Sequence, residues 1–302
     1  MIPEISVIMP AYNVEKYIKY SIESILEQTF ENFEFIIIDD GSTDHTYDII
    51  SQYHDRRIIP IKNNANLGVA TTLNRAISIA KANYIARMDS DDISKKDRFK
   101  KQIHFMNTHP HIGISGSHME LINHDGSIIK EQYKRIGFEN IMAGLLFGHT
   151  SLAHPSIIMR KNLLDFYHLR YDSAFAYAED YDFYCRSSQY IIIDNYPEAL
   201  IQYRIHSESV SNKFKMQQIL DAQSALYLHL RRLKLPFTLD QFKLHTLFSF
   251  PNIHHISVNN DILQCWIEHL LSWNNDRKYI STELLRKYCL EYQMRLTQET
   301  QK

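Results

Sequence analysis

Over its first ~110 residues the sequence alternates short, continuous apolar runs with segments whose apolar positions recur at helical spacing. The runs are Ile5–Met9, Phe33–Ile38, Ile58–Ile61 and Tyr84–Met88. A strand that is apolar at every position is covered on both faces, which is the condition of a strand inside a parallel sheet. Between the runs, Val14, Tyr17, Ile18, Ile22, Ile25 and Leu26 mark one amphipathic helix, with Asn13 placed to cap it. Further helices are expected from about Asp44 to Tyr53 and from Val69 to Lys81. The pattern predicts an α/β fold with a mostly parallel sheet flanked by helices. In such sheets ligands bind beyond the carboxyl ends of the strands. The polar residues gather there: Pro10-Ala11-Tyr12-Asn13, Asp39-Asp40-Gly41-Ser42 and Asp89-Ser90-Asp91-Asp92.

The last of these clusters carries the most chemistry. Asp89, Asp91 and Asp92 follow directly on a buried strand, where like charge is costly unless a cation neutralises it. An all-oxygen set suits Mg²⁺ or Mn²⁺, ions that also accept phosphate oxygens. The competing reading is a solvated acidic turn that caps the next helix. Asp39 or Asp40 could accept a hydrogen bond from an imide N–H or a ribose hydroxyl, or belong to a plain strand-to-helix turn opened by Gly41 and capped by Ser42 or Thr43. Tyr12 could stack on a base or simply pack. Glu179 and Asp180 head a helix, where the dipole stabilises a carboxylate as the anion, so capping is the default reading of the pair. A general base also needs an available anion. His206, beside Arg204, is one of 16 histidines, and most of those serve surface or core.

Past Ile112 the pattern changes. Ile114–Ile122 and Ser127–Tyr133 flank Asp125-Gly126, which predicts a hairpin. A helix near Glu139–Phe147, a strand at Ser156–Met159 and a helix from Glu179 to about Ser188 follow. Beyond a boundary placed near residue 210, segments at Asp240–Ser249, Ile262–Ser272 and Thr282–Arg295 read as amphipathic helices. So does a stripe of Met216, Ile219, Leu220, Gln223, Leu226, Tyr227, Leu230 and Leu233. That stripe reads as a packing face; with Arg231, Arg232 and Lys234 at its end, membrane-surface contact is the weaker alternative. A formal charge of −2 without a basic field excludes nucleic acid as a partner. Cys185, Cys265 and Cys289 are scattered and odd in number, so reduced thiols in a cytoplasmic protein are expected. No signal peptide or membrane-spanning run is read, so any work at a membrane is expected to be peripheral, on the cytoplasmic face.

The order and spacing of these clusters carry a resemblance. Ser6–Asn13, Ile38–Asp44, Asn66-Leu67-Gly68 with Asn74, Ala86–Asp92, Ala178–Asp182 and Tyr203–His206 together resemble the family 2 glycosyltransferases of the GT-A fold. Asn195-Tyr196-Pro197-Glu198-Ala199-Leu200 is similar to a run in bacterial lipooligosaccharide β-1,3-N-acetylhexosaminyltransferases. The resemblance covers about residues 4–212. It implies a Rossmann-like GT-A domain over residues 1–210 and a helical C-terminal extension over 211–302. By position, Pro10, Ala11, Tyr12 and Asp39 would hold the uracil of a UDP-sugar and Asp89 its ribose. Asp91 would ligate Mn²⁺ or Mg²⁺ with His206 as a further ligand, and Asp180 would be the catalytic base. The implied reaction is inverting transfer of one sugar, with GlcNAc or GalNAc as candidates, to a hydroxyl of a glycan or lipid-linked glycan acceptor. Lipooligosaccharide, capsule and exopolysaccharide precursors are the acceptor classes it implies.

Two departures limit the carry-over. The Gln-x-x-Arg-Trp element of processive synthases is absent, which favours a single transfer. Gly148–Pro155 differs from the hexosaminyltransferases, which leaves the donor sugar open. A non-catalytic nucleotide-sugar-binding or scaffold protein is the alternative from another class, although such a protein has no need of Asp180. A nucleotidyltransferase expects a Gly-rich basic loop, and Ser6–Asn13 contains neither glycine nor Lys or Arg.

Overall fold

Four strands, β1 (Ile5–Ala11), β2 (Phe33–Asp39), β3 (Ile58–Lys62) and β4 (Tyr84–Arg87), form the expected parallel half of the sheet in the order β3-β2-β1-β4. The computed structural model describes residues 2–206, 213–250 and 259–299. The boundary expected near residue 210 lies outside the described residues. Helices α1 (Ile18–Leu26), α2 (Thr46–Ser51) and α3 (Val69–Ile79) make the crossovers.

The second half of the sheet is mixed. Past β4 the order continues β8 (Ile158–Arg160), β6 (Ile112–Ile122), β9 (Ile192–Arg204) and β5 (Ile93–Ser94), with β7 (Ile128–Gln132) on β6. The hairpin predicted around Asp125-Gly126 is β6–β7, and Gly126 takes the positive φ that the turn needs. β8 runs antiparallel to both β4 and β6, whereas β6 and β9 are parallel. β9 is not read from the sequence because Pro197-Glu198 interrupts its apolar pattern. The register there jumps from Ser117↔Tyr196 to His118↔Ala199, so the proline, which cannot donate to a ladder, sits in a bulge. Helices α4 (Arg98–Thr108), α5 (Phe138–Leu146), α6 (Lys161–Phe166) and α7 (Glu179–Ser187) cover this half.

Alternate residues of β1 and β2 feed opposite cores. Val7, Met9, Phe35 and Ile37 pack with α1 and α4, while Ile8, Ile36 and Ile38 face α3. The α3-side cluster continues through α5 into α8 (Lys215–Arg232), α9 (Leu239–Ser249), α10 (Asn260–Arg277) and α11 (Thr282–Glu299). Fully burying each Leu, Ile or Phe in it is worth roughly 1.5–3 kcal/mol. The α8 stripe divides in two. Leu226 and Leu230 are buried, but Met216 is 64% and Leu220 49% exposed. Arg232, at the basic end of that stripe, points to Asp182 of α7 rather than outward to a lipid surface. Among the described residues no helix is long and apolar enough to cross a membrane.

Candidate active site

The ends of β1, β2 and β4 lie side by side, so Ala11 is in register with Asp39, and their loops are stitched together. Asn13 does not cap α1, which begins five residues later. Its left-handed backbone (φ 51°) turns the side chain across to the β2 loop, where its Oδ1 accepts from the Thr43 N–H at 2.9 Å. Ser42 and Thr43 do not cap α2 either; the Ser42 Oγ accepts from the Asn13 N–H. Gly41 is required because a Cβ there would meet the Ala65 carbonyl carbon at 2.5 Å, and its φ is +75°.

The two adjacent acids after β2 do different things. Asp40 is consumed by structure: its carboxylate accepts from Asn63 Nδ2 (2.6 Å) and from the N–H groups of Leu67 and Gly68. Asp39 is fully buried, and its Oδ2 accepts from the Ser42 N–H at 3.2 Å. Its buried Oδ1 has no partner among the described residues. Tyr12, 44% exposed, stands open beside it at the end of β1.

Asp89, Asp91 and Asp92 bring carboxylate oxygens within 4.8 Å of one another. Each is held differently. Asp89 forms a two-point ion pair with Arg87, at 2.6 and 2.5 Å. Asp91 faces His206, with Oδ2 3.0 Å from Nε2, so the structure brings these two sequence candidates together. Asp92 is fully buried; its Oδ1 accepts from the Arg204 N–H, and its Oδ2 has no partner among the described residues. Arg204 also donates to the Asp91 carbonyl and lies over the Tyr17 ring, which packs against His206. Burial, with Asp91 and Asp89 beside it, holds the Asp92 carboxyl well above the usual range. Burial also raises Asp89, against the pull of Arg87. A compact oxygen set in which burial disfavours the charged forms of Asp89 and Asp92, with a buried Asp92 oxygen unpaired among the described residues, fits a divalent cation. Asp91 and His206, the latter with a side chain only 8% exposed, are the paired candidate ligands at its edge.

Asp180 heads α7 with its Oδ1 2.6 Å from the Tyr181 N–H. It lies close enough to the metal-side cluster for its charge to raise Asp89. Burial raises Asp180 itself, while the Tyr181 N–H, Arg87 and Lys134 oppose that rise. Its neighbour Glu179 is pushed further, up to about 8, by burial and by the Asp180 charge. Arg87 is the hub. Burial opposes its charge, but Asp89, Tyr171 and Glu179 outweigh burial and hold its pKa up. Sequence reasoning assigned no role to Arg87, Lys134 or His154, and read Glu179 only with Asp180 as a helix-capping pair. A signal was there for Arg87: a charge inside an apolar strand implies a buried partner.

The raised Glu179 fixes a pH dependence. Between the ordinary value of 4.5 and about 8, the unfolded chain has released this proton while the native one keeps it. Stability therefore falls as pH rises through that window, by up to about 1.4 kcal/mol per pH unit for one proton. The buried neutral His154, His229 and His245 act in the opposite sense below about pH 6.5, so the readout is the difference between two proteins: in thermal melts of metal-free protein from pH 5 to 8, the Tm of wild type relative to Glu179→Gln is expected to fall as pH rises. Equal slopes for the two proteins would contradict the assignment.

The comparisons with known proteins agree with this geometry. The family model described as "Glycosyl transferase family 2" matches residues 6–167. An "Uncharacterized glycosyltransferase" of Haemophilus influenzae is 33% identical, covering 96% of this chain and 92% of the relative. The "UDP-Glc:alpha-D-GlcNAc-diphosphoundecaprenol beta-1,3-glucosyltransferase WfaP" of Escherichia coli is 50% identical over 104 residues, 34% of this chain and 41% of that one. Among solved structures, S. aureus TarS 1-349 in complex with UDP-GlcNAc superimposes with a TM-score of 0.64 at 19% identity, covering 96% of this chain and 89% of that one. This last likeness supports the fold.

Proposed function

Because the chain belongs to glycosyl transferase family 2, we propose that it is an inverting, metal-dependent enzyme that moves one sugar from a UDP-sugar to a hydroxyl of a cell-surface glycan precursor. The observation that carries this reading is the juxtaposition, around Arg87, of the strand-end carboxylates with Asp180. WfaP, described as using UDP-Glc, and the TarS complex with UDP-GlcNAc support a UDP-sugar donor, and the diphosphoundecaprenol substrate of WfaP supports a lipid-linked acceptor. Their donors differ, UDP-Glc and UDP-GlcNAc, so both belong in any donor test beside UDP-GalNAc.

In this reading residues 1–210 form the catalytic unit. The uracil sits against Pro10 and Ala11 with Tyr12 over its face, and its imide N–H donates to the unpaired Asp39 Oδ1. Asp89, aimed by Arg87, accepts from the ribose. Asp91 and His206 would hold Mn²⁺ or Mg²⁺, which supplies Lewis-acid stabilisation of the departing UDP. Asp180 takes the proton of the acceptor hydroxyl as its oxygen attacks the anomeric carbon from the side opposite UDP, which inverts the configuration. The Tyr181 N–H and the positive charges of Arg87 and Lys134 favour the anion that step needs.

The test is UDP release with UDP-Glc, UDP-GlcNAc and UDP-GalNAc, with and without lipid-linked glycan acceptors. Release is expected only with a divalent cation, to be abolished by EDTA, and to fall at least 100-fold in Asp91→Asn. UDP binding without turnover for any donor and acceptor would favour the non-catalytic alternative. Full activity in EDTA would remove the metal from the mechanism. Peripheral contact with a membrane's cytoplasmic face is part of the same proposal, and co-sedimentation with anionic vesicles tests it.

A further inference from the structure

The segment Gly148–Pro155, where the chain departs from the hexosaminyltransferases, ends in a buried histidine that the reaction outlined above does not use. His154 opens a 3-10 turn (His154–Ser156) wedged against β4, β6 and β9, and only 8% of it is exposed. A buried imidazole costs desolvation that a phenyl ring of similar bulk would not. Here both ring nitrogens face polar atoms. Nε2 shares a 2.9 Å hydrogen bond with the Tyr171 hydroxyl, and Nδ1 stands 3.8 Å from Glu179 Oε1.

Tyr171 is itself fixed. Asn74 of α3 clamps its main chain from both sides, donating to the Tyr171 carbonyl at 2.8 Å and accepting from its N–H at 2.9 Å. The Tyr171 ring stacks on Phe183 of α7, with centroids 4.4 Å apart. A continuous chain of contacts thus runs from α3 through Tyr171 and His154 to the first residue of α7. Burial and the Arg87 charge hold His154 neutral, so the contact with Glu179 is a polar one between uncharged groups and not an ion pair.

We propose that His154 is a positioning residue: braced by Tyr171 and Asn74, its ring packs its polar Nδ1 edge against the Glu179 carboxyl, 3.8 Å away and beyond direct hydrogen-bond reach, and so holds the first turn of α7, which aims Asp180 at the acceptor hydroxyl. The proposal rests on the reading of Asp180 as the base. It assigns a role to the residues packed behind Asp180, and it places donor binding outside that role. A displacement of about 1 Å in a base can cost on the order of 100-fold in rate. Loss of the brace therefore belongs in kcat.

The experiment compares His154→Ala, His154→Asn, His154→Gln and Tyr171→Phe by steady-state UDP release with acceptor, alongside UDP binding by calorimetry and thermal melts. His154→Ala is expected to lose roughly 10- to 100-fold in kcat, with the donor KM and UDP affinity within about twofold of wild type. His154→Asn, whose amide stands near the Nδ1 position, should recover most of that loss, and His154→Gln less. Tyr171→Phe removes a single oxygen and should lose about fivefold. An unchanged kcat in His154→Ala overturns the proposal. So does a loss that sits in KM, or one that follows only the folded fraction. Asp180→Asn in the same assay separates the two readings. If it remains active, the base assignment has failed; if it is inactive while His154→Ala is normal, only the positioning role has.

Discussion

Asp180→Asn is expected to lower kcat by about 10³-fold while leaving UDP affinity within twofold. General-base catalysis contributes about 10²–10⁴-fold, and an amide of the same shape cannot take the proton. The substitution also isolates the chemical role, because Asn can still accept the Tyr181 N–H that now reaches Asp180 Oδ1 at 2.6 Å. The fold of the helix terminus is thereby kept. Glu179→Gln is the informative partner. Glu179, raised to about 8, is protonated at neutral pH and is a poor base there, so its amide should retain far more activity. Equal losses in the two variants would mean that the carboxyl pair acts as a unit. Near-normal turnover in Asp180→Asn would move the base elsewhere. Calorimetry of UDP binding in the presence of Mn²⁺ tells loss of chemistry from loss of the nucleotide site.

The parallel half of the fold was legible because its signal is local. Phe33–Ile38 or Tyr84–Met88 announces itself as a covered strand whatever lies elsewhere in the chain. In the mixed half the β6–β7 hairpin and the β8 strand were legible as elements but the sheet order was not, because β8 lies between β4 and β6 through contacts made across more than 40 residues, and β9 hides behind Pro197. The helix expected after Asp92, α4, drew no bounds for a related reason: it buries Arg98 and Gln102, which a periodicity count scores as surface. At the site, the carboxylates were legible as a set, but their division of labour was not. Asp39 and Asp40 are chemically identical neighbours. Only the fold shows that Asn63, Leu67 and Gly68 occupy Asp40 and leave Asp39 Oδ1 unpaired. His154 and Tyr171 meet across 17 positions, a juxtaposition no spacing rule reports.

Asp182→Ala is expected to have the largest effect on stability, and it ties the C-terminal helices to catalysis. Asp182 is fully buried two residues after Asp180. It accepts from Arg186 at 2.7 Å and from Arg232 of α8 at 3.2 Å, and Arg186 also donates to the Arg170 carbonyl. Removing one partner of a buried ion cluster leaves the rest uncompensated, at a cost of about 3–5 kcal/mol. Both guanidiniums keep some contact with solvent, so the lower end, about 3 kcal/mol, is expected. For a chain of 302 residues that corresponds to a Tm lower by roughly 5 °C. Arg232→Ala alone should cost about 1 kcal/mol, and the double variant less than the sum, because the two changes remove one shared contact. α8 also holds the other flank of the base: Asp221 accepts from the Tyr177 N–H at 3.1 Å, three residues before Asp180. A helix gripped on both sides of its catalytic end should lose rate when one grip is released, so kcat in Arg232→Ala is expected to fall several-fold with the donor KM unchanged. Melting curves and kinetics on the same preparations decide the matter. A Tm for Asp182→Ala within 2 °C of wild type would show the cluster to be energetically idle, and an Arg232→Ala enzyme with normal kcat would confine α8 to packing.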